Sequence, residues 1–123
     1  MAHPQRFLFM VTHGPDEPER ASMPMAMAVG ALRSGRSVAV GLQGPAVWIA
    51  VHGGVDGVAA PGFAPLADQL AEFQRLGGRL LVCPASANGR SVDPAADLVA
   101  GAAMVVPGGF FTEMDAADRV LYY

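Results

Sequence analysis

Cys83 is the only cysteine in the chain, and it closes the apolar run Gly78-Arg79-Leu80-Leu81-Val82-Cys83-Pro84-Ala85-Ser86. Two roles fit it. Free cysteines are often buried as small hydrophobes. A residue just past the carboxyl end of a strand, however, lines the crevice where open α/β sheets hold their sites. Pro84 restricts Cys83 to extended backbone and holds it at the strand end. A helical turn beginning in Ala85–Gly89 supplies free N–H groups that favour thiolate, and Arg90 adds positive charge to the same region. Both readings stay open on the residues alone.

A thiol dyad needs a histidine as its base, and the chain offers His3, His13 and His52. His13 ends the first predicted strand and reaches Cys83 if strands one and three are neighbours; its alternative role is a turn residue. His3 reads as a terminal surface residue. His52 precedes Gly53-Gly54 and reads as structural or interfacial. The first loop, His13-Gly14-Pro15-Asp16-Glu17-Pro18-Glu19-Arg20, has one glycine, no Lys and three acids, so it is not a Walker A loop. No Gly-x-Gly-x-x-Gly follows a strand, and no serine sits in a Gly-x-Ser-x-Gly elbow. One cysteine excludes an intrachain disulfide and a zinc site of four cysteines, or of two cysteines and two histidines. No cofactor and no metal are expected.

The elements that position these residues read as α/β. Phe7–Thr12 is a continuous apolar strand, fit for a sheet centre covered on both faces. Asp16 reads as a helix N-cap, with Glu19 as capping-box partner and Pro18 in the first turn. The helix runs toward Leu32 and ends at Gly35, and Pro24 either kinks it or marks a restart after Ser22. Met23, Met25 and Met27 point to different faces and read as packing residues. Ser37–Leu42 is a second strand. Ala46–Val51 is a short helix or a strand, with Pro45 favouring the helix. Residues 53–65 form a long loop rich in Gly, Ala and Pro, of the kind that is functional or lies at an interface. Pro65–Leu76 is a helix with Leu66, Leu70, Phe73 and Leu76 on one face. Arg79–Cys83 is the third strand, and Asp93–Ala100 reads as a helix capped by Asp93. Ala102–Val106 is the fourth strand, Phe111–Ala117 a helix capped by Thr112 or Asp115, and Arg119–Tyr122 the last strand. Trp48, Phe63, Phe110 and Phe111 are expected to pack on the sheet or on a neighbouring subunit. Five strands alternating with helices predict an α/β/α sandwich with a mostly parallel sheet.

Bulk properties narrow the partners. The chain has 123 residues, which fits one domain, 1–123. Apolar residues make up 52% and charged residues 15%, so a polar coat is hard to complete and self-association is expected. Net charge is −3, with eight Arg and no Lys against 11 acids, and no basic stripe suited to nucleic acid. No apolar run has the length of a membrane span and no signal-peptide pattern begins the chain, so a soluble, cytoplasmic protein is expected.

Several stretches together resemble the DsrE/DsrF/DsrH-like family of sulfur-relay proteins. They are Thr12–Ala21, Gly30-Ala31-Leu32 with Gly35, Val38–Gly44 with Trp48, Pro61–Leu66, Gly77-Gly78 and Val82-Cys83-Pro84-Ala85. The resemblance spans nearly the whole chain. It implies a three-layer α/β/α fold with a five-stranded, largely parallel sheet, and assembly as trimers or hexamers. It also implies that Cys83 matches the cysteine that takes sulfur as a persulfide from a donor protein and passes it to an acceptor. Close relatives often carry Cys-Pro-x-Cys, whereas this chain has Ser86 at the second position. That removes an internal Cys-x-x-Cys disulfide but leaves a one-cysteine carrier intact, because transfer to a partner thiol needs one nucleophile. Ser86 then offers a hydroxyl to the thiolate, with His13 and Arg90 as electrostatic helpers. The alternative is a non-catalytic oligomeric assembly or small-ligand-binding protein in which Cys83 is structural. A hydrolase or reductase ranks last, since no base or cofactor motif supports it.

Overall fold

The computed structural model describes residues 3–123. Five strands, β1 (Arg6–Val11), β2 (Ser37–Leu42), β3 (Arg79–Val82), β4 (Ala102–Met104) and β5 (Arg119–Tyr122), form one sheet. Its order is β4-β3-β2-β1-β5, and every pairing is parallel. The chain steps outward from β1 to β4, then crosses back to lay β5 on the far side of β1. The α/β expectation therefore holds. The condition for His13 to reach Cys83, that β1 and β3 are neighbours, is not met, because β2 lies between them.

Strand alternation splits the side chains between two unequal faces. Phe9, Val11, Val38, Val40, Leu42, Leu80 and Val82 pack under α1 (Pro18–Arg33), a 3-10 helix (Gly44–Ala50), α2 (Leu66–Arg75) and the short α3 (Pro84–Asn88). Leu8, Met10, Ala39 and Leu81 face the other way, covered by Phe110, Met114 and Ala117 in and after α4 (Gly109–Ala116). No residue of α4 is itself buried.

α1 runs unbroken through Pro24, which is buried. It ends in a Schellman motif: Gly35, at φ +88°, donates to Leu32 O, and Arg36 N donates to Ala31 O at 3.0 Å. The start differs from expectation. Glu17 is the N-cap residue and makes no side-chain cap, because the Asp16 carboxylate is engaged by the Gly14 N–H and the His13 ring. Of the three alternating methionines, Met25 is buried while Met23 and Met27 are exposed.

Residues 93–100 are not a helix. The Asp97 carboxylate accepts from Asp93 N–H and the Asp93 carboxylate from Ala95 N–H, closing a turn between two aspartates. Leu98 then pairs with Val51, and Val99 N–H donates to Ala50 O at 2.8 Å, so tertiary pairing overrides the capping signal. α4 is capped by Gly108 in left-handed backbone, φ +78°, rather than by Thr112 or Asp115. The 53–65 loop is a series of turns pinned by buried Val55 and Ala60 and by a Leu66 N–H to Val58 O bond.

Candidate functional site

The end of β3 presents Cys83 as the N-cap residue of α3, extended at φ −68°, ψ 121°, as the following proline requires. Its N–H donates to Leu42 O at 3.0 Å, which ties it to the end of β2. The thiol is free and half-buried.

Ser86, one turn along α3, gives the site its polarity. Gly44 N–H donates to Ser86 Oγ at 2.8 Å, which fixes the hydroxyl on the first turn of α3. Burial by itself pushes the Cys83 pKa up. The Ser86 hydroxyl and the backbone N–H groups of Ser86 and Ala85 outweigh it, and the thiol sits below its ordinary value. Arg90 does not act on sulfur directly: its guanidinium donates to Ser86 O at 3.1 Å and so braces the turn that carries Ser86.

A cavity of about 480 Å³ opens beside the thiol. Val105, Val106, Phe110, Phe111 and Met114 form its apolar walls, and Gln43 and Tyr122 add the polar side chains. Tyr122 OH donates to Gln43 Oε1, joining the ends of β5 and β2 across β1. Gly41 lets one wall residue of the cavity, Phe110, seat on the sheet. A Cβ there would lie 2.5 Å from Met10 Sδ and 2.7 Å from a Phe110 ring carbon, so only glycine lets Phe110 close onto the sheet.

His13 is elsewhere. Its Nδ1 lies 3.0 Å from Asp16 Oδ2, and it lines a separate cavity of about 390 Å³ with Thr12, Arg20 and Tyr123. Burial raises the Asp16 pKa, but the hydrogen bonds from His13 and Gly14 N–H together bring it below the ordinary carboxylate value. His52 is exposed and uses its backbone N–H on Asp97 O, and His3 is exposed near Pro4. The fold thus gathers Cys83, Ser86 and Arg90 and leaves His13 out, because an intervening strand sets it about 10 Å to the side. Gln43, Tyr122 and Phe110 are site residues that the sequence reading missed. The strand order that brings Tyr122 over Gln43 carries no local signal. Gly41 inside a strand was the one available clue to a close approach. Among the described residues, no group of three or more His, Cys, Asp or Glu is placed to hold a metal.

The DsrE/DsrF-like family model matches residues 5–123. The chain belongs to this family. Among solved structures, it resembles the YchN protein of E. coli at 16% identity and TM-score 0.78, over 97% of this chain and 99% of that one. It also resembles MTH1491 of Methanobacterium thermoautotrophicum, a protein of unknown function, at 15% identity and TM-score 0.67, again over 97% and 99% of the two chains. No curated protein matches. At these identities the two structures support the fold, a parallel α/β sheet flanked by helices. The family is one generally associated with sulfur relay.

Proposed function

We propose that this DsrE-like protein carries sulfane sulfur as a persulfide on Cys83 and hands it to a partner thiol. The observation that carries the reading is the half-buried Cys83 thiol at the start of α3 and at the mouth of a cavity, with its pKa kept below the ordinary value by the Ser86 hydroxyl and the α3 backbone. The thiolate attacks the outer sulfur of a donor R–S–SH. The bond from Cys83 Sγ to the outer sulfur forms, the donor's S–S bond breaks, and R–S⁻ leaves with the electron pair. A partner thiolate repeats the attack on the outer sulfur and restores Cys83. No external oxidant enters either step. The role is that of a carrier within a relay, between a sulfur donor and a sulfur-acceptor protein, in a homo-oligomeric, cytoplasmic, single-domain protein. A homo-oligomer, trimer or hexamer, is supported by the family resemblance and by apolar side chains exposed away from the cavity, Met27 at 52% exposure and Met23 at 42%.

Intact mass after treatment with a persulfide donor tests this. The wild type gains about 32 Da per transferred sulfur, removable by dithiothreitol, and Cys83→Ser gains none. A wild type that holds no sulfur, or a Cys83→Ser variant that holds as much, overturns the proposal. The same exposed apolar side chains favour a second reading, an assembly module with a structural cysteine. It requires Cys83 to alkylate only after denaturation, whereas the carrier alkylates in the native state near neutral pH.

A further inference from the structure

The walls of the Cys83 cavity say which kind of sulfur donor it takes. No Asp, Glu, Arg or Lys lines it. Of the charged groups near its walls in sequence, Asp115 beside Met114 is exposed and does not line the cavity, and two others are engaged elsewhere. Glu113 on α4 is bound to Arg79 through two contacts of 3.0 and 3.2 Å, and Arg90 is bound to Ser86 O. Gln43 Oε1 is already taken by the Tyr122 hydroxyl, which leaves the Gln43 amide N–H groups as the side-chain donors of the wall. A charged group entering this half-open cavity gives up part of its water and meets no charged side chain in return, which disfavours it. An apolar group gains burial against Phe110, Phe111 and Met114. Space is ample: a cavity of about 150 Å³ holds a benzene ring, and this one measures about 480 Å³.

We infer that the pocket selects an uncharged, apolar organic persulfide, with an aromatic or short alkyl R group seated against Phe110, Phe111 and Met114 and the outer sulfur at Cys83. The inference rests on the carrier reading above and names its donor class. Negatively charged donors such as thiosulfate or a peptidyl persulfide with free carboxylates are disfavoured at this site.

Three methanethiosulfonates test it: a neutral benzyl reagent, an anionic sulfonatoethyl reagent and a cationic trimethylammonioethyl reagent. Each transfers its R–S group to the Cys83 thiolate and releases methanesulfinate, so the reaction needs no other reagent. Rates on the native protein are divided by rates on a free small thiol. The benzyl reagent is expected to exceed both charged reagents by about tenfold or more, the discrimination that apolar pockets reach. Phe111→Asp and Val106→Asp, both at exposed wall positions that the fold does not depend on, are expected to narrow that ratio several-fold with unchanged circular dichroism. Equal normalised rates, or a faster charged reagent, overturn the donor class while leaving the persulfide mass test standing. A native thiol inert to all three reagents but reactive after denaturation overturns the carrier reading and this inference together. A benzyl preference untouched by either substitution overturns the assignment of the wall.

Discussion

The two faces of the sheet are built to different standards. One face carries α1, α2, the 3-10 helix and α3, and its strands bury large side chains completely, Phe9 and Phe73 among the best covered. The other carries α4 alone, with four buried strand residues beneath it and Phe111, Val120 and Tyr122 left exposed. Cohesion is concentrated on the first face. The second face trades packing for access: its single helix stands off far enough to leave a cavity at the thiol, and that cavity is apolar because it is continuous with a thin core.

The largest expected effect lies on the thick face. Phe73→Ala removes a ring that α2 buries in the core and against Gly78, and should cost about 3–5 kcal/mol in denaturant unfolding. Native alkylation of Cys83 under folding conditions should be unchanged. A variant that loses thiol reactivity in parallel with stability would break the division between the faces.

Gly41→Val tests the thin face. The added side chain displaces Met10 or Phe110 and should cost about 1–3 kcal/mol. Unlike Phe73→Ala, it should raise Cys83 exposure, read as faster alkylation by a bulky maleimide. A variant as stable as wild type would show that α4 floats freely over the sheet.

Ser86→Ala is the mildest for stability and the most specific for chemistry. With the hydroxyl donor gone, the Cys83 pKa rises toward its ordinary value and the alkylation pH profile moves to higher pH. At pH 7 the rate should fall about three- to tenfold, the worth of one hydrogen bond to a charged group partly offset by a more nucleophilic thiolate. The sign for stability follows from the same lowered pKa. Thiolate stabilisation is fully present above the unfolded thiol value and is lost as pH falls through the folded one. An unshifted profile would leave the backbone amides as the sole source of the lowered pKa.

Much of the fold was legible because its signals are local. The apolar strand cores, the period of α2 and the Gly35 stop each follow from a few adjacent residues, and the segment following Cys83 does form the expected turn. Asp16 misled because its carboxylate had a nearer claimant in Gly14 N–H than the helix start. Asp93-Pro94 misled because Leu98 and Val99 pair with the end of the 3-10 helix, a contact nearly fifty residues away in sequence. The site was half legible. Cys83, Ser86 and Arg90 lie within one short segment, whereas Gln43, Phe110 and Tyr122 reach it only through the sheet order 4-3-2-1-5.

The bond from Gly44 N–H to Ser86 Oγ has a spectroscopic consequence. Ser86 Oγ accepts from the Gly44 amide, and the same hydroxyl favours the ionised form of the sulfur. When sulfur becomes anionic, the hydroxyl proton is drawn toward it, Oγ grows richer in electron density, and the amide bond behind it tightens by polarisation. The Gly44 amide proton is therefore a built-in reporter. Its NMR resonance should move downfield as the thiol ionises, tracing the Cys83 titration, and move back when the thiolate is consumed by a transferred sulfur or an alkyl group.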